Sequence, residues 1–227
     1  MARAQLVEAG AGLAVLQRMA GLVRETLAAT TMTSEAARIA PTTVVDLGTG
    51  SGELVGLLLH APPALDVIGL DLSTAAMTVG ARRWPTATWV VANADRTLPL
   101  RDASVAVITS VHARRNPREC ARVLAPDGRL LVAIPAPDDV QELRAAVLGT
   151  PTARDRAQGV VDEHAAQFTC LAREELRAAV PLEPPLLRAL LAGTYRGRRA
   201  SAQHAVDALA PMTVTFASTL LTFVPRR

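Results

Sequence analysis

The sequence predicts an α/β fold: a mostly parallel sheet covered by helices on both faces, with an antiparallel strand at its edge. Three observations predict it. Short apolar, β-branched runs alternate with segments of helical periodicity, a glycine-rich turn follows the first of those runs, and the final run alternates in the manner of a strand. Half of the 227 residues are hydrophobic and 20% are charged, so a large core is available and wholesale disorder is excluded.

In chain order, residues 3–29 carry Leu6, Leu13, Leu16, Met19, Leu22, Val23 and Leu27 at close to helical spacing, which predicts a helical segment packed on the sheet as scaffold. Strands are then expected at Thr43–Leu47, Val67–Leu70, Thr88–Val91, Val105–Thr109 and Leu130–Ile134. Helical periodicity separates them at Leu54–His60, Ala75–Arg83, Arg118–Leu124 and Val140–Leu148. Pro181, Pro184 and Pro185 then interrupt the chain, Leu186–Leu191 suits a short helix, and Thr213–Val224 suits the antiparallel strand. No repeat or linker divides this series, so residues 1–227 are expected to form a single domain. Its parts are an N-terminal helical segment (1–40), a cofactor-binding core (41–150) and a C-terminal substrate-side portion (151–227).

Composition narrows the function. The apolar stretches Leu54–Leu59 and Leu130–Ile134 are far shorter than the ~20 residues that cross a bilayer, so no membrane partner is expected. Cys120 and Cys170 lack metal-ligand spacing, which predicts reduced thiols, a cytoplasmic location and no metal. The net charge of +3 rests on 24 basic residues that are all Arg. Clusters therefore carry more information than the total: Arg82-Arg83, Arg114-Arg115 with Arg118, and Arg196 with Arg198-Arg199.

Val44-Val45-Asp46-Leu47-Gly48-Thr49-Gly50-Ser51-Gly52-Glu53-Leu54 is a strand entering a glycine loop that opens a helix. Such a loop turns tightly, lets a ligand approach the backbone and presents free N–H donors. The spacing is G-x-G-x-G, not the G-x-G-x-x-G of dinucleotide folds. Asp71 closes the second strand beside this loop, where a carboxylate accepts from both hydroxyls of a ribose. Asn93-Ala94-Asp95 closes the third strand on the same rim, and either Asn93 or Asp95 suits an adenine amino group.

These blocks, VVDLGTGSGEL, GLDLS, ANADRTLPLRDASVAVITS and CARVLAPDGRLLVAIP, resemble the class I S-adenosylmethionine-dependent methyltransferases. The resemblance implies a Rossmann-like fold with a seven-stranded, mostly parallel sheet, and S-adenosyl-L-methionine as cofactor. It places Asp46, Gly48, Thr49, Gly50 and Gly52 near the methionine portion, Asp71 on the ribose, Leu72 beside the adenine, and Asn93, Ala94 and Asp95 at its edge. The segments ARAQLVEAG, GLDLSTAAMTVGARRWP, DVQELRAAVLG and LLRALLAGTYRGRR are similar to bacterial 23S ribosomal RNA (guanine-N1)-methyltransferases. Members of that family carry an N-terminal zinc-binding cysteine cluster, which two separated cysteines cannot supply; this chain begins where that module would end. Where the family shows Met-Thr-Pro before an aromatic residue, this chain reads Ala192-Gly193-Thr194-Tyr195.

Methyl transfer is an in-line displacement that needs positioning and no covalent residue. If the acceptor is a protonated ring nitrogen, a base must take its proton, and His112, just past the fourth strand, is the candidate; it equally suits a polar loop. Tyr195 stacks on a base or merely packs, while Trp84 and Trp89 are expected to be buried at the cofactor-distal end. Arg114, Arg115, Thr194, Arg196, Arg198 and Arg199 are the expected substrate contacts. The expected partner is ribosomal RNA; the alternatives are a small-molecule substrate and a non-catalytic cofactor-binding role.

Overall fold

The computed structural model describes residues 2–32, 42–60, 65–149, 154–192 and 209–226. Its strands are β1 (Thr43–Leu47), β2 (Asp66–Asp71), β3 (Thr88–Val91), β4 (Val105–Val111), β5 (Leu124–Pro135), β6 (Phe168–Leu182) and β7 (Met212–Pro225). They form one sheet in the order β3-β2-β1-β4-β5-β7-β6. The helices are α1 (Ala2–Glu8), α2 (Leu13–Met32), α3 (Glu53–Leu59), α4 (Thr74–Arg83), α5 (Pro117–Val123), α6 (Gln141–Leu148), α7 (Ala157–His164) and α8 (Pro184–Ala192).

Strands β1 to β5 pair in parallel, in the register Asp46 opposite Gly69, Asp46 opposite Thr109 and Asp71 opposite Val91. After β1 the chain builds outward through β2 and β3, then returns to place β4 on the other side of β1. Strand order thus reverses at the end of β1, where open parallel sheets leave a crevice for ligands. The Arg226 N–H donates to the Gln167 carbonyl at 2.7 Å, joining the end of β7 to the start of β6 in antiparallel fashion. The last strand lies between β5 and β6, which leaves β6 at the edge.

The described chain forms two compact units, made of residues 16–134, 157–174 and 220–227, and of residues 1–15, 135–156 and 175–219. In the first, Val45, Leu47, Leu70, Ile108, Leu130, Phe168 and Phe223 belong to one buried cluster. All seven residues of β4 are buried there, which explains its unbroken apolar run. In the second, Leu143, Val180, Leu182, Leu187, Leu191 and Val214 make the core. Two elements go beyond the sequence expectations: α7, and β6, whose central residues are mostly exposed and charged as edge strands often are. Strand β5 also starts at Leu124, because Asp127-Gly128 is carried inside it as an irregularity rather than ending it. Among the described residues no helix is long and apolar enough to cross a membrane.

Candidate active site

The loop leaving β1 has left-handed backbone at Gly48, Gly50 and Gly52, with φ of 69°, 59° and 84°. At Gly48 the requirement is also spatial: an added Cβ would stand 2.3 Å from the Ala113 Cβ. Three N–H groups fasten the loop to the end of β2. Gly48 and Thr49 donate to the Leu70 carbonyl at 2.8 and 3.1 Å, and Gly50 donates to Asp71 Oδ2 at 2.9 Å. Asp71 Oδ1 meanwhile accepts from the Ser73 N–H at 2.8 Å, so one carboxylate braces both loops. Asp46 is buried beneath, accepting from Thr109 Oγ1 at 2.7 Å across β1 and β4. Thr49 is buried as well, and its Oγ1 has no hydrogen-bond partner among the described residues.

A pocket of about 360 Å³ opens along the ends of β1, β2 and β3. It is lined by Gly48, Asp71, Leu72, Asn93, Ala94, Asp95 and Arg114, all expected from the sequence, and by Leu70 and Ala92, which were not. Asn93 Oδ1 is used locally, accepting from the Asp95 N–H at 2.9 Å. The Asp95 carboxylate faces Arg114 Nη1 at 3.3 Å across the rim. Leu72 is 67% exposed, an apolar surface presented beside Asp71. Asp46, Thr49, Gly50 and Gly52, also expected at the cofactor, are not among the residues that line this pocket. Gly52 is required by packing, since a Cβ there would stand 2.3 Å from Trp89 Cη2.

The two tryptophans depart from the sequence expectation. They are half-buried, but under the glycine loop rather than at the distal end: Trp89 packs on Gly52, Gly69 and Gly80, and Trp84 on Gly56. Trp89 Nε1 donates to the Trp84 carbonyl at 3.0 Å, and His60 meets Trp84 edge to face with centroids 5.2 Å apart.

Beyond β4 the rim bends sharply. His112 is exposed with φ of 53°, a left-handed conformation that costs a non-glycine residue, and its N–H donates to the Ala133 carbonyl at 2.9 Å. Arg114 is 88% exposed in its side chain. Arg115, expected as an open phosphate contact, is instead tucked inward: Nε donates to His164 Nε2 and Nη1 to the Ala113 carbonyl, both at 3.0 Å. Burial works against its charge. His164 was not singled out from the sequence, where 49 positions separate it from Arg115. Thr194, Tyr195, Arg196, Arg198 and Arg199 lie outside the described residues. Among the described residues no group of three His, Cys, Asp or Glu side chains is arranged to hold a metal.

A reversing parallel sheet with a glycine loop braced on an acidic residue at the next strand end is the arrangement the sequence resemblance implies, and the chain carries a methyltransferase domain. Residues 44–128 match the family model described as a methyltransferase domain. More particularly, the chain is similar to the 23S rRNA (guanine(748)-N(1))-methyltransferase of Streptomyces fradiae, 35% identical over 84% of this chain and 65% of that protein. It is also similar to a putative 23S rRNA (guanine-N(1)-)-methyltransferase of Micromonospora griseorubida, 41% identical over 51% of this chain and 40% of that protein. The chain thus spans less than two thirds of the length of these relatives. The YcgJ protein of Bacillus subtilis shares the fold, with a TM-score of 0.57 at 21% identity over 90% of this chain and 99% of that one.

Proposed function

We propose that the chain transfers a methyl group from S-adenosyl-L-methionine to the N1 of a guanine in 23S ribosomal RNA. The observation that carries the cofactor half is the Gly50–Asp71 bond at the mouth of the pocket, which sets a carboxylate beside a glycine backbone. The residues fit the cofactor. The pocket lining joins the Gly48 backbone to the carboxylates of Asp71 and Asp95 and to the exposed apolar side chain of Leu72, a donor and acceptor set that suits a nucleoside. In this reading Asp71 keeps lone pairs for the ribose hydroxyls, Leu72 covers the adenine, and Asp95 accepts from its amino group, because Asn93 Oδ1 is already engaged. The bound cofactor supplies an electrophilic methyl group.

The chain's own residues then have to orient the base and remove its N1 proton. His112 stands where the strand carrying the substrate side ends, and its strained backbone supports a placement held for function. Arg114, with Thr194, Tyr195, Arg196, Arg198 and Arg199 from the C-terminal portion, would hold the RNA backbone and the base. The similarity to the Streptomyces fradiae enzyme supports this acceptor. Incubation with methyl-labelled cofactor and purified, unmodified 23S RNA should place label on a guanine N1, read by nuclease digestion and mass spectrometry. Label entering only a small-molecule fraction of an extract would overturn the RNA acceptor and leave the cofactor site standing.

A further inference from the structure

We propose that His164 and Arg115 are positioning residues of the cofactor pocket, holding the loop after β4 against the glycine loop through the carbonyl of Ala113. The proposal rests on the cofactor reading above. Its basis is an unbroken series of contacts that begins at the end of α7. His164 is fully buried, its ring stacked on Phe223 with centroids 5.0 Å apart and tilted against Phe168 at 6.1 Å. Its Nδ1 lies 2.7 Å from the Val160 carbonyl and so carries the hydrogen, which leaves the Nε2 lone pair to accept from Arg115 Nε at 3.0 Å. Arg115 Nη1 reaches back to the Ala113 carbonyl at 3.0 Å, and Ser110 Oγ donates to the same oxygen at 3.3 Å. Ala113 is the residue whose Cβ occupies the space above Gly48. Arg114, between the two anchored residues, is the one that lines the pocket.

The chemistry of the pair argues for position over stability. Even a partly buried guanidinium is costly unless a carboxylate bonds to it, and the hydrogen bonds of Arg115 go to an imidazole and a carbonyl. An apolar side chain would fill that space at lower cost. What only the arginine fork achieves is to grip a ring nitrogen and a loop carbonyl together.

The arrangement is also sensitive to acid, since an imidazolium has no lone pair to offer. The charged groups around the ring are Arg115 on the loop and Glu163 on α7; Cys120 on α5 faces Arg115, while β6 and β7 contribute Phe168 and Phe223. Burial and the neighbouring guanidinium hold the His164 pKa below its ordinary value, so the clasp is intact at neutral pH and fails only on acidification.

The test measures S-adenosylmethionine affinity by calorimetry between about pH 5 and pH 8 on the full chain and on the variants His164→Phe, His164→Gln and Arg115→Lys. Hydrogen exchange at the Gly48–Gly50 amides of the cofactor-free proteins is measured in parallel. His164→Phe, which keeps the stacking and loses the acceptor, should weaken binding about tenfold at the alkaline end and flatten the pH profile. His164→Gln, whose amide oxygen still accepts, should restore most of the affinity without restoring the acid slope. Exchange at Gly48–Gly50 should quicken in His164→Phe and Arg115→Lys. Unchanged affinity and unchanged exchange in Arg115→Lys, which tests the loop end even if His164→Phe does not fold, would overturn the proposal. Faster exchange in the variants of a chain that binds no cofactor would uphold the clasp while refuting the cofactor reading.

Discussion

The backbone N–H of Gly50 donates to Asp71 Oδ2 at 2.9 Å, so the carboxylate expected to hold a ribose is also a strut of the loop beside it. Its other oxygen takes the Ser73 N–H, at the head of α4. Asp71→Ala should therefore lose both cofactor affinity, by more than about tenfold, and stability, by about 1–3 kcal/mol for the two released donors. Asp71→Asn keeps an acceptor and should recover most of the stability but little of the affinity. Calorimetry and thermal melts on the two variants separate the roles; an Asp71→Asn protein that binds as the parent does would remove Asp71 from the ribose.

Gly48→Ala should be among the most damaging single-methyl changes in the chain. The new Cβ would meet Ala113 at 2.3 Å, on a backbone with φ of 69°. A loss of about 1–3 kcal/mol is expected from strain and crowding together. Adding Ala113→Gly should give back part of it by relieving the clash, since the backbone cost remains. Failure of the double variant to melt above the single one would show that the two loops do not meet there.

Asp139 gives a pH dependence. Burial pushes its carboxyl up to about 6, from an ordinary 3.8, against the help of the Ala217 N–H that it accepts at 2.9 Å. The folded state thus holds this proton more tightly than the unfolded chain, so its contribution to stability declines as pH rises from about 4 through about 6. Asp139→Asn keeps the acceptor and removes the buried charge. It should raise stability above about pH 6 by on the order of 1–3 kcal/mol and change little near about pH 4. Chemical denaturation at the two pH values decides it: equal stability of parent and variant at the higher value would refute the cost.

Arg122 ties the segment after β3 to α5. It donates to the Leu98 and Leu100 carbonyls at 2.9 Å and pairs with Glu119 and Asp102 at 2.7 and 2.6 Å. Glu119 in turn accepts from the Leu98 N–H at 2.8 Å, and the Arg122 guanidinium holds its carboxyl below the usual range. Arg122→Met should cost about 2–4 kcal/mol, because two carbonyls and a half-buried carboxylate lose their donor. A loss within about 0.5 kcal/mol, the ordinary range for a surface change, would contradict it.

The central parallel strands β1, β4 and β5 were legible because burial on both faces writes near-continuous apolar runs, β3 by its β-branched and aromatic residues, and the strand-end position of Asp71 because its strand and the glycine loop fix it. The local bond from Asp95 N–H to Asn93 Oδ1, on which the proposed preference for Asp95 rests, was not legible, because it depends on how the turn closes. Strand β6 hid behind its charges, as its residues read like a solvated segment until the edge is known. Arg115 and His164 were beyond reach for another reason: only the closed chain brings α7 to the loop after β4. The shared packing role of Gly52, Gly56, Gly69 and Gly80 was hidden for the same reason, each a separate glycine in sequence that the fold gathers around two indoles.

That gathering gives the molecule an optical consequence. The chain has two tryptophans, and both indoles press on the backbone that carries the glycine loop. All of its indole emission therefore arises from rings packed against the glycine-loop backbone, undiluted by distant indoles. A shift of the loop on taking up a ligand will register as a change in emission colour or quantum yield, and occupancy can be followed on unlabelled protein in a cuvette.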